Sequence, residues 1–183
     1  MRRVLIATGV LVLAGCSSSG RPSATSPVTT AGQPTTTTAK PSTATSTVGA
    51  VGSSFTLKGS SGTVQVTLSK VVDPATAQES YIKPSSGQRW VGVEMTFKNV
   101  GAAPFSDTLF TGLHAADEQG HSADIQDMAA ISAGPMIDPL AGLHLGVGDV
   151  TTGWVTYSLP TSVKLARVQY MPTGGQMAEW KLS

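Results

Sequence analysis

The chain has 183 residues, with 12 basic and 11 acidic side chains and a formal charge of +1 at neutral pH. No basic stripe of the kind that binds nucleic acid is present, so no nucleic-acid partner is expected. The single cysteine leaves no partner for an intrachain disulfide, and a fold must rest on an apolar core alone.

Arg2 and Arg3 precede an apolar run, Val4 to Leu13, and the small residues Ala14 and Gly15 precede Cys16. This is the layout of a secretory signal peptide over residues 1–15. The run is too short to cross a bilayer, which takes about 20 residues. The ending Leu13-Ala14-Gly15-Cys16 resembles the lipobox of bacterial lipoproteins. That resemblance implies cleavage before Cys16 and a diacylglyceryl group on its thiol. An ordinary cleaved signal beside a chance cysteine is the plainer alternative. One acyl chain binds a membrane only marginally, whereas two hold a protein there. The expected location is the extracytoplasmic face of the cell membrane, anchored through Cys16.

Residues 16–52 follow as a linker. Ser17 to Gly52 is almost entirely Ser, Thr, Pro, Ala and Gly, with no aromatic residue, Leu or Ile. Such a segment buries too little apolar surface to offset its ordering entropy and reads as disordered. As a coil it spans about 30–36 Å on average. It suits a tether, and its Ser and Thr residues are candidates for O-linked sugars.

The folded domain is expected over residues 53–183, where eight basic and 11 acidic residues leave a net charge of −3. Phe55 to Lys58 alternates briefly, and Gly59-Ser60-Ser61-Gly62 reads as a turn. Thr63 to Lys70 alternates strictly, with Val64, Val66 and Leu68 on one face, as a half-buried strand does. Val71-Val72 shifts that phase, as a bulge would. Residues 75–87 show no period and read as a loop. Arg89 to Asn99 is the strongest strand: Val91, Val93, Met95 and Phe97 face one way, Trp90, Gly92 and Glu94 the other.

Leu109 to Ala116 reads as a strand, with a turn at Asp117 to Gly120 and a return from His121 to Ile125. Asp127 to Ser132 suggests one helical turn, and Gly134 to Gly148 an irregular segment. Thr151 to Leu159, Val163 to Met171 and Met177 to Leu182 complete the strands. Seven to eight short strands without a long helix argue for an all-β antiparallel sandwich.

Three stretches carry a resemblance: Val71-Val72-Asp73-Pro74-Ala75, Gly87-Gln88-Arg89-Trp90-Val91-Gly92-Val93-Glu94-Met95-Thr96-Phe97-Lys98-Asn99, and Gly153-Trp154-Val155-Thr156-Tyr157-Ser158-Leu159-Pro160. With Ala178-Glu179-Trp180-Lys181-Leu182, they resemble an immunoglobulin-like domain of unknown function. It is common behind a lipobox and a Ser/Thr/Pro linker in actinobacterial lipoproteins. That domain is similar in fold to a secreted mycobacterial immunoprotective antigen. The resemblance covers about residues 53–183 and implies an immunoglobulin-like β-sandwich. It supplies no catalytic residues. The family's Pro-Gly pair before the Gly-Trp-Val strand is replaced here by Gly148-Asp149.

Candidate chemistry is sparse. If Asp117 to Gly120 is a four-residue hairpin loop, Ala116 faces His121. His114 then lies diagonally across from His121 on the same face. The two histidines, with Asp117 or Glu118, are candidate metal ligands, but a zinc site takes three or four such groups. The plain alternative is solvent-facing residues near a turn. Gly120-His121-Ser122-Ala123-Asp124 lacks the last Gly of a nucleophile elbow. Ser80-Tyr81-Ile82-Lys83 matches a Ser-x-x-Lys pattern, but no Lys-Thr-Gly follows. Trp90 and Trp154 fall opposite the main apolar faces. Either the sheet is covered on both sides there, or they form an exposed partner-binding patch.

These observations point to a non-enzymatic binding module at the cell envelope, without a cofactor, whose partner is an unknown envelope or extracellular protein. The alternative is a small-ligand or lipid carrier with a pocket between the sheets. Met136, Ile137, Leu140, Leu143 and Leu145 would flank that pocket.

Overall fold

The computed structural model describes residues 47–182. The signal segment 1–15, Cys16 and linker residues 17–46 lie outside the described residues. Within them, no helix is long and apolar enough to cross a membrane.

Eleven strands and one helical turn follow in order. They are β1 (Thr47–Ala50), β2 (Ser54–Lys58), β3 (Thr63–Val72), β4 (Gln88–Asn99), β5 (Phe105–Asp107), α1 (Leu109–Gly112) and β6 (Leu113–Asp117). Then come β7 (Asp124–Gln126), β8 (Leu143–Leu145), β9 (Val150–Pro160), β10 (Leu165–Tyr170) and β11 (Ala178–Lys181). One sheet runs β2-β3-β4-β9-β7, the other β1-β11-β10-β6, and β5 pairs with β8 in a small ribbon. The two main sheets stack as the expected immunoglobulin-like sandwich, with more strands than the seven or eight read from alternation.

The long strands form where residue types alternate with the strand period of two. Val64, Val66 and Leu68 on β3 are fully buried, as are Val91, Val93, Met95 and Phe97 on β4. β4 and β9 pair antiparallel from Gln88↔Pro160 to Lys98↔Val150 and form the spine of the larger sheet. The register of β3 against β4 shifts between Leu68 and Lys70. An odd step reverses the facing of all that follows. Val71 therefore joins the inner core, and Val72 turns out toward Trp90 and Trp154. The phase shift at Val71-Val72 has this bulge as its cause.

From the smaller sheet, Val168, Tyr170, Ala178 and Trp180 fill the same core. A fully buried side chain such as Val168 contributes roughly 1.5–3 kcal/mol. The Trp180 indole N–H donates to the Ser53 carbonyl at 2.9 Å, and its ring meets Phe55 at 5.2 Å. Tyr157 is wholly buried without a hydrogen-bond partner for its hydroxyl, and burial raises its pKa.

Four sequence expectations need correction. Thr47–Ala50, placed in the linker, is a strand pairing in parallel with β11. Its composition hides this, because an edge strand's hydrogen bonds come from the backbone. Leu109–Gly112 forms a helical turn, and only Leu113–Asp117 is strand. Residues 127–132 form an irregular strap of bends rather than a helical turn, with Ile131 bridging Ala77. The segment 134–148, expected to be irregular, holds β8, and Leu143 and Leu145 are buried in the main core.

β1 runs parallel to β11, so Thr47 lies beside Ala178 and Ala50 beside Lys181. The described chain thus starts at the end bearing the β10–β11 connection, the lower end. The β3–β4 loop, the β6–β7 loop, the β9–β10 turn and Leu182 gather at the opposite, upper end. After β1 the chain crosses between sheets at Gly52 (φ 93°), whose N–H donates to the Leu68 carbonyl. That backbone conformation favours glycine.

Candidate functional site

Three adjoining clefts occupy the upper end. The first, about 540 Å³, opens where the sheets part. Val71 and Arg89 line it from the five-stranded sheet, and Leu165 and Leu182 from the other. The second, about 340 Å³, is bounded by Gln88, Asp117, His121 and Ser158 and shares Ser162 and Val163 with the first. The third, about 370 Å³, lies on the outer side of the four-stranded sheet and shares Leu182 with the first. Smaller concavities lie along β6, about 250 Å³, and at the lower end, about 330 Å³.

The rim is held by polar contacts. Arg89 donates from Nε and Nη2 to the two Asp73 oxygens at 2.6 and 2.8 Å, and from Nη1 to the Pro160 carbonyl. This bidentate clamp ties the start of the β3–β4 loop to the end of β9, the geometry for which guanidinium is suited. The Asp73 carboxylate raises the Arg89 pKa.

Asp117 is buried, which by itself pushes its pKa up. Its Oδ1 accepts the N–H groups of Gln119 and His121, and its Oδ2 lies 3.1 Å from His121 Nδ1. These contacts outweigh the burial and hold the carboxyl below its usual range.

An exposed aromatic patch, one of the two readings open for Trp90 and Trp154, does not form, since each residue is only 3% exposed. They lie on the outer face of the larger sheet with Gly92 between them. Two loops cover them: Ala77 bridges Ile131, and Gln78 N–H and Ser132 N–H donate to the carbonyls of Ala130 and Thr76. Ile131, Ala129 and both tryptophans form a second small core there. Of the two readings open at the sequence level, coverage on both sides is the one realised.

The expected pairing of His114 with His121 is also corrected. Ala116 bridges Ser122, not His121. One extra residue in the loop moves the register by one and turns His121 to the other face. His121 meets Asp117, while His114 stands opposite Gln169 on β10. Among the described residues no group of three or more His, Cys, Asp or Glu side chains converges for a metal.

The Ser-x-x-Lys stretch, Ser80 to Lys83, is on a loop outside any helix, and Ser122 is in a bridge beside Ala116. Ser106 Oγ lies 3.1 Å from His144 Nδ1 at the lower end, a contact the sequence did not suggest. Asp107 next to it is engaged by Tyr170 and Thr173, and among the described residues no acid is hydrogen-bonded to that histidine.

A charged row also escaped the sequence. Across the smaller sheet Ala50, Lys181, Arg167 and Ala116 stand side by side. The two cations belong to strands whose pairing no local pattern announces.

The architecture defines a two-sheet antiparallel sandwich of the immunoglobulin-like type with its main concavities at one end. No family model and no curated protein matches the chain. Among solved structures, it is similar to the secreted protein MPT63 of Mycobacterium tuberculosis. The identity is 12% and the TM-score 0.54, over 74% of this chain and 97% of that one. The yjhA protein of Bacillus subtilis is 16% identical with a TM-score of 0.47, over 74% of this chain and 99% of that one. The lipoprotein candidate ycdA of the same organism is 17% identical with a TM-score of 0.47, over 70% of this chain and 39% of that one. At such identities the likeness to MPT63 speaks to fold alone.

Proposed function

We propose that this protein is a lipid-anchored, extracytoplasmic, non-enzymatic binding module that presents its upper end to an envelope partner. The observation that carries this reading is the placement of three adjoining clefts at the end opposite Thr47, where the described chain starts. A tether preceding Thr47 leaves those clefts facing away from its attachment. The lipobox-like Leu13 to Cys16 and the Ser/Thr/Pro composition of residues 17–46 support anchor and tether. The fold shared with a secreted mycobacterial protein agrees with that location.

The test is in-cell crosslinking and capture with wild type, Cys16→Ser, Ser162→Arg at the upper end and Ser60→Arg at the lower end. The reading expects one envelope component that is recovered with wild type and Ser60→Arg and lost with Ser162→Arg and Cys16→Ser. Recovery that ignores Ser162→Arg overturns it.

A carrier function is the second reading, and the 540 Å³ cleft favours it, although none of Met136, Ile137, Leu140, Leu143 and Leu145, the residues expected to flank a pocket, lines that cleft. Val51, Val71, Val163 and Leu182 give the cleft an apolar lining where the sheets part. Deeper in, Met95, Phe97 and Tyr157 are fully buried side chains of the core, so a ligand would sit at the mouth. Co-purifying lipid detected by mass spectrometry, and lost on Val71→Arg, would move the assignment to this reading.

A further inference from the structure

We infer that the third cleft is a site for a small peptide-like ligand ending in a free carboxylate. The inference deepens the binding reading above and rests on it. Arg167 and Lys181 stand directly opposite each other on β10 and β11, with side chains on the outer face because Val168 and Trp180 point into the core. Like charges in directly opposed positions are destabilising. The alanines that flank the pair, Ala50 and Ala116, offer no charge to relieve it.

Among the described residues neither cation is in a salt bridge, since the ion pairs present involve Lys70, Arg89 and His121. The Arg167 Nε is enclosed and has no hydrogen-bond partner. Its sister Arg89, by contrast, uses all three guanidinium nitrogens. The register of β10 against β6 shifts between Leu165 and Arg167. Such bulges re-aim side chains.

Glu118 and Glu179 line the same cleft. Neither carboxylate is ion-paired, and Glu179 accepts a hydrogen bond from the Gln169 amide at 2.6 Å. Two unpaired cations and two unpaired carboxylates therefore surround one space of about 370 Å³. That arrangement suits a ligand carrying both kinds of group. A planar carboxylate matches the two terminal nitrogens of the Arg167 guanidinium, with Lys181 as a second cation. Ammonium or amide N–H groups match Glu118 and Glu179. The two glutamates also oppose a phosphate anion that carries no cationic or N–H group. The volume falls in the range of small-ligand sites, at its lower end.

The test uses the full mature chain with Cys16→Ser, titrated with the dipeptide Ala-Ala, with Ala-Ala amide and with dimethyl phosphate. Backbone amide shifts and the thermal midpoint are the readouts. The dipeptide should saturate, with shifts confined to residues 116–118, 165–169 and 179–182. Blocking its carboxylate as the amide should weaken binding by about two- to fivefold, the size of an exposed charge contact. Arg167→Gln and Lys181→Gln should weaken it similarly. Lys58→Gln, an exposed cation at the lower end, should not. Lack of saturation overturns the inference, as does equal binding of the amide, or binding of dimethyl phosphate in place of the dipeptide. If the dipeptide fails while capture still depends on Ser162, only this inference falls and the upper-end reading stands.

Discussion

Gly92 on β4 lies directly beneath Ile131, and a β-carbon at Gly92 would collide with the Ile131 Cδ1. The missing side chain is what lets the strap across the outer face sink between Trp90 and Trp154. A Gly92→Ala substitution should lift Ile131 and destabilise the domain by about 1–3 kcal/mol, the usual cost of overpacking. Ile131→Ala should cost about 2–4 kcal/mol by leaving a void over the same glycine. Denaturant unfolding measures both. Tryptophan emission should shift to the red in the native baseline of each variant, because the indoles gain water.

Asn99 is 1% exposed at the end of β4. Its amide nitrogen donates to the carbonyls of Ala103, Leu145 and Gly146, and its oxygen accepts the Gly101 N–H. It ties the β4–β5 turn to the β8–β9 turn. Asn99→Ala should cost about 2–4 kcal/mol, since several buried carbonyls lose their donor. Asn99→Asp should cost at least as much at neutral pH, because a carboxylate would face three carbonyl oxygens. Acidification should partly restore Asn99→Asp relative to Asn99→Ala, a difference that unfolding curves at two pH values will show.

The Tyr170 hydroxyl donates to Asp107 at 2.6 Å, and Thr173 donates to the other Asp107 oxygen at 2.7 Å. Burial, then the Asp107 carboxylate, raises the Tyr170 pKa. Tyr170→Phe keeps the ring against Phe97 and removes only the hydroxyl. It should cost about 1–3 kcal/mol, the penalty for depriving a buried charged acceptor of one donor. A stability loss below a few tenths of a kcal/mol in chemical denaturation would contradict this assignment.

Asp117 titrates below its usual value in the folded state. Its carboxylate therefore favours the fold at pH above the unfolded value of about 3.9. That contribution declines as pH falls through the ordinary value toward the depressed one. Asp117→Asn should be less stable than wild type at neutral pH, and the gap should narrow as pH falls through the ordinary carboxylate value and below it. Unfolding midpoints of the two proteins measured across the acid range give the comparison. A gap that stays constant with pH would rule out the carboxylate as its source.

The inward faces of β3, β4 and β9 follow from alternation, because burial of one sheet face selects apolar residues at every second position. The loop over residues 75–87 and the phase shift at Val71-Val72 follow from the loss of that period. Elsewhere tertiary contacts override local preference. Leu109 to Gly112 turns as a helix at the end of a strand-like run. Thr47–Ala50 becomes a strand only because β11 offers an edge.

The sequence by itself determined an all-β sandwich, its strongest strands and a lipobox-like segment ahead of Cys16. These are properties of short stretches, with periods of two residues or motifs of four. Tertiary structure alone decided that Trp90 and Trp154 are covered, that His121 meets Asp117 rather than sharing a face with His114, and that Arg167 stands opposite Lys181. Each depends on register between segments distant in sequence or on one loop residue more or less. A single step in register exchanges the two faces of a strand, and no local pattern of residues encodes that step.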